Sequence, residues 1–140
     1  MKERYPWKKE YDIGIEEINN QHKKMLAIIN RLYNESEKTN VSKEFIADII
    51  TELEDYADYH FSTEEYNFMK YDYKGAKQHI LIHRQFKRKI AIFKEEYKKN
   101  NDILTEVITF TKNWLIHHIL HEDMKYAPYL KTDKTNKQQD

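Results

Sequence analysis

Residues 79–83 read His79-Ile80-Leu81-Ile82-His83, two imidazoles four positions apart with only aliphatic residues between them. On an α-helix a spacing of four returns to the same face, so both rings point the same way. Following that face outward gives Ala76 on one side and Phe86, Ile90, Phe93 and Tyr97 on the other. This is the apolar stripe of a helix that begins after Gly75 and turns its histidines toward a core.

The same period recurs three more times. One stripe carries Ile15, Ile18, Met25, Leu26, Ile29 and Leu32 and ends in the polar stretch 34–40. A second begins at Ser42, a residue type suited to a helix N-cap, and runs through Ile46, Ile50, Leu53 and Ala57 to about Tyr71. The last follows Asp102, another capping type, with Ile103, Val107, Phe110 and Trp114, and is bounded by Pro128. Only two glycines and two prolines punctuate 140 residues, too few for the many turns of an all-β domain. Long helices with short connections imply antiparallel neighbours. The expected fold is therefore all-α, an up-down-up-down four-helix bundle over residues 1–130. Residues 1–13, with Trp7, form an N-terminal arm, and the polar tail 131–140 is expected to be disordered.

Composition excludes several function classes. Lysine plus arginine and aspartate plus glutamate number 24 each, so no charge excess points to nucleic acid. There is no cysteine, hence no disulfide, thiolate ligand or thiol nucleophile, which suits a cytoplasmic location. No apolar run reaches the roughly 18 residues of a membrane span, and the start lacks the apolar segment of a signal peptide.

Completing each stripe changes its meaning. The first includes His22, the second His60 and Glu64, the third His79 and His83, and the fourth His118, one turn beyond Trp114. Counted from the turns near residues 39, 73 and 100, all of these fall at one level of the bundle. A lone histidine on an apolar face is usually an ordinary core residue. Five imidazoles and a carboxylate meeting in a dry core would each carry a desolvation cost, which a bound metal removes. Imidazole and carboxylate ligands suit iron, zinc, manganese or copper alike. No histidine has a glutamate three residues before it, which argues against a ferritin-like carboxylate site.

Five separated stretches carry a family resemblance: Trp7, the run from Gly14-Ile15 to Gln21-His22-Lys23, HFSTEE from residue 60, HILIH from 79 and WLIHHILHED from 114. In this order they resemble the hemerythrin family, most closely its single-domain bacterial members, over residues 7 to about 130. The resemblance implies two non-haem iron ions with an oxo or hydroxo bridge. His79, His83 and His118 would hold one iron, His22 and His60 the other, with Glu64 and Asp123 bridging both. It also implies one open position on the iron with two histidines, where the family binds dioxygen. Phe61, Trp114, Leu115 and Ile119 are candidates to line that pocket, and ordinary core packing accounts for them equally well. Tyr126 is either an outer hydrogen-bond donor to a ligand or a surface residue.

Two points depart from a simple match. His118 and Asp123 are five residues apart, about 140° on an ideal helix, so a π-type irregularity or a frayed last turn is expected there. His121, three after His118, is the rival ligand, and His117 a weaker one. Asn19 stands where the family often has aspartate, which affects only the start of the first helix.

The implied function is reversible dioxygen binding for transport, storage or supply, without catalysis, since the carboxylates are committed to metal and no free general base is evident. Dioxygen is the expected partner, together with an oxygen-consuming protein. The alternatives are an oxygen or redox sensor acting through a separate partner, a peroxide or nitric oxide reductase at the same centre, and a hydrolytic di-zinc or di-manganese site.

Overall fold

The computed structural model describes residues 4–38 and 40–130, and the proposed tail 131–140 lies outside them. Helices α1 (Glu16–Ser36), α2 (Lys43–Lys70), α3 (Ala76–Lys98) and α4 (Leu104–His117) follow one another with short connections. A six-residue π-helical stretch, His118–Asp123, continues α4, and α-helix resumes over 124–130. There is no strand among the described residues. No helix is long and apolar enough to cross a membrane. Helix α2 packs on α3 and on α1, and α1 packs on α4, the arrangement of an up-down-up-down bundle.

The helix boundaries follow local chemistry. Ser42 Oγ accepts the Phe45 N–H at 3.1 Å and caps α2, satisfying one of the free amides of the first turn. Asp102 Oδ1 accepts the Leu104 N–H at 3.3 Å, although the residue in the cap position of α4 is Ile103. Helix α3 closes on Asn100, whose φ of 64° lies in the left-handed region where asparagine is tolerated after a helix end. A Cβ on Gly75, at the start of α3, would lie 2.5 Å from the Tyr73 hydroxyl, so that ring would have to shift.

The arm lies along the bundle. Tyr5 exchanges two hydrogen bonds with the Asn30 side chain, at 2.8 and 2.9 Å, Trp7 meets Tyr11 edge-on, and Ile13 is fully buried. Asn19 ties the arm to the first turn of α1: its Oδ1 accepts the Ile13 N–H at 3.1 Å and its Nδ2 donates to Asp12 Oδ1 at 2.7 Å. The stripe residues Ile18, Met25, Leu26, Ile29, Leu32, Ile50, Leu53, Phe86, Ile90, Phe93, Ile103 and Val107 are all buried in one core.

Candidate metal centre

All four helices aim imidazole into one end of the core. His22 of α1, His60 and Glu64 of α2, His79 and His83 of α3, and His118 and Asp123 of the π-helical stretch are each at most 1% exposed. In a π-helix the hydrogen bond runs from i to i+5, so residues five apart fall on nearly one face. The extra residue turns Asp123 inward beside His118, and their Oδ1 and Nε2 atoms lie 2.8 Å apart. His117 and His121, the alternative ligands, are exposed on the outer side of the same stretch.

The donor atoms fall into two groups that share a carboxylate. Glu64, His79, His83 and His118 bring one ligand atom each into a single cluster, and His22, His60, Glu64 and Asp123 into another. Glu64 Oε1 is 3.0 Å from His83 Nε2 and 3.2 Å from the Nε2 atoms of both His60 and His118. Asp123 likewise reaches both groups, with Oδ2 2.6 Å from His22 Nε2 and Oδ1 3.2 Å from His79 Nε2.

Several of these close pairs are not hydrogen bonds. His22 Nε2, His60 Nε2 and both Asp123 oxygens are buried without an aligned partner, although carboxylate and imidazole atoms stand within hydrogen-bonding distance of each other. Buried polar groups left in this state cost free energy. Lone-pair atoms crowded together but not aimed at one another are what a cation between them requires, and the nitrogen and oxygen donors suit a transition metal.

The electrostatics agree. Burial pushes the His60 imidazolium pKa down to about 3, against the pull of Glu64. Burial also opposes charge on His118, but Asp123 and Glu64 outweigh it and raise its pKa to about 10. Burial works against ionisation of the two carboxyl groups as well. The neighbouring imidazoles overcome it, His60 and His118 at Glu64 and His118 at Asp123, and hold both below the usual range. The pocket therefore favours anionic carboxylates together with positive charge among the imidazoles.

Outer contacts set the orientation of the rings. Gln21 Oε1 accepts from His60 Nδ1, and Gln21 Nε2 donates to Thr63 Oγ1 at 3.4 Å. Glu65 Oε2 accepts from His83 Nδ1 at 2.9 Å. A donor hydrogen on Nδ1 leaves the Nε2 lone pair of both rings free for a metal. Tyr126 is fully buried and donates to Glu64 Oε2 at 2.5 Å, so it is not a surface residue. Burial, reinforced by Glu64, raises its pKa, which keeps it a donor. Gln21 has a sequence signal, a polar residue among the inward positions of α1. Glu65 has none, because its partner lies on the neighbouring helix α3.

Of the four pocket candidates, Phe61 stacks on His83 at 3.9 Å between ring centroids and Trp114 stacks on His118 at 4.3 Å. Both contacts are with the three-histidine group. Leu115 and Ile119 are 1% exposed within the main core cluster.

A four-helix bundle holding five histidines and two carboxylates at one end of its core defines a helical metal-binding domain. The chain belongs to the hemerythrin family: the model described as hemerythrin HHE cation binding domain matches residues 13–130. It is 36% identical to a bacteriohemerythrin of Clostridium acetobutylicum over 128 residues, covering 87% of this chain and 98% of that protein. A hemerythrin-like protein of Naegleria gruberi is 30% identical, with 90% and 93% covered. The crystal structure of a leucine-to-phenylalanine mutant shares the fold, with a TM-score of 0.83, 22% identity, and coverage of 92% of this chain and 98% of that one.

Proposed function

We propose that the seven side chains hold two non-haem iron ions, and that the chain binds dioxygen reversibly as a carrier, store or local supplier in a reducing cytoplasm. His79, His83 and His118 would hold one ion and His22 and His60 the other, with Glu64 and Asp123 shared. The observation that carries this reading is the pair of buried ligand clusters joined by one glutamate. Resemblance to bacteriohemerythrins over most of the chain supports it.

Reduced iron, when bound, supplies the electrons for reversible dioxygen capture. The protein holds the ligands and keeps water out. Gln21 and Glu65 fix the tautomers of His60 and His83, and the Tyr126 hydroxyl holds its proton on Glu64 Oε2. Phe61, Trp114, Leu115 and Ile119 give the surroundings an apolar character that slows proton leakage. Binding rather than catalysis fits a site whose two core carboxylates would be committed to metal, with no free general base beside them.

The test is the visible spectrum of iron-loaded, reduced protein before and after air is admitted, and again after deoxygenation. A ligand-to-metal band that appears and then disappears is expected. Irreversible oxidation without such a band would overturn oxygen carriage and favour a peroxide or nitric oxide reductase.

One observation favours a sensor acting through a separate partner. Thr63, hydrogen-bonded to Gln21 behind His60, lines an open groove with Tyr59 and Tyr66, which are 61% and 64% exposed. Under that reading, amide exchange over residues 66–71, the part of the groove beyond the ligands His60 and Glu64, differs between the oxygenated and deoxygenated states; under carriage alone it does not.

A further inference from the structure

The chain has seven histidines. Five converge in the core, which leaves His117 and His121 as the exposed pair. They are not scattered. Their ring centroids are 4.6 Å apart and their planes 32° from parallel, so the two imidazoles stand side by side on the outer face of the helix. Glu122 is beside them, with Oε1 3.9 Å from His117 Nε2 and 3.5 Å from the Lys125 ammonium. The backbone beneath is ordered by the bundle, because the preceding His118 and following Asp123 are fully packed on its inner side.

We propose that His117 and His121 form a second, surface metal site, distinct from the buried cluster, for a divalent transition ion that prefers imidazole, with Glu122 supplying adjacent negative charge. Two imidazoles on one helical face chelate an ion with little loss of backbone freedom, because the helix has already fixed their separation. Imidazole suits copper, nickel, zinc and iron, and copper binds tightest in the divalent series. Neither ring is among the clustered core donors, so the site needs nothing from the buried cluster. An ion held there would clamp the outer side of the one irregular turn that delivers His118 and Asp123 inward.

The experiment is a titration of iron-loaded protein with cupric ion, followed by electron paramagnetic resonance, with iron release measured in the same samples. The expected result is a nitrogen-coordinated copper signal that saturates at one ion per chain without iron release. It weakens in His117→Ala and in His121→Ala and is lost in the double variant, whose iron content is unchanged. A copper signal that survives in the double variant, or that grows only as iron is released, would overturn the proposal. So would the absence of any signal in the unmodified protein. Failure of the buried site to load iron would be visible separately, as low iron content before copper is added.

Discussion

Where α1 and α3 end and α2 and α4 begin, Leu32, Ile49, Phe93, Ile103 and Val107 fill the core with hydrocarbon. The opposite end of the same bundle buries five imidazoles and two carboxylates at the same depth. Both ends are equally buried, but they are held together differently. At the first end burial is non-directional, so any well-packed apolar set of the right volume stabilises it. At the second, every buried polar atom needs a partner at the right angle, and several lack one without a cation. One half of the bundle should therefore hold its shape regardless of metal, while the other depends on it.

The strongest way to break this contrast is to remove a ligand. His83→Ala is expected to abolish iron binding at the three-histidine group and with it any oxygen adduct. The part of the iron-dependent stabilisation that this ion contributes should disappear too. That stabilisation is about 4 kcal/mol when free iron is a thousandfold above its dissociation constant, and it is read as the difference in melting temperature with and without ferrous ion. Normal oxygen binding by this variant would mean that the ligand set is wrong.

At the apolar end, Leu32→Ala should cost about 3 kcal/mol, in the middle of the range for such truncations. The loss is expected to be the same in metal-free and iron-loaded protein, with iron content unaffected. A much larger loss in one form would show that the two ends are coupled. The smallest effect sharpens the contrast within the metal end. Tyr126→Phe removes only the hydroxyl that fixes Glu64, and should weaken iron binding about tenfold, measured by competition with a chelator.

How far these features could be read from sequence depends on whether they are local. The helices could be read because each stripe repeats every three or four residues, and Ser42 behaves as the cap its hydroxyl suggests. The irregular turn was also legible, because His118 and Asp123 cannot share a face of a regular helix, and the chain resolves the conflict with a π-helical stretch. That turn also separates His118 from His121, which spacing alone left as rivals. Tyr126 remained ambiguous in sequence, since a tyrosine near the end of a helix is equally compatible with surface and core. Glu65 was not legible: its hydrogen bond to His83 spans two helices, and nothing about its neighbour Glu64 distinguishes an outer carboxylate from a solvated one. Phe61 and Trp114 were identifiable as apolar residues near the site, but only the packing places their rings against His83 and His118.

The central claim is that two shared clusters at one end of the bundle make a two-metal site, and an anaerobic titration of metal-free protein with ferrous ion, read by calorimetry and by Mössbauer spectroscopy, tests it most directly. Two iron ions per chain are expected, in unequal environments, because one cluster offers three imidazoles and the other two. Saturation at a single ion per chain, or iron bound only in one environment that persists in His83→Ala, would contradict it.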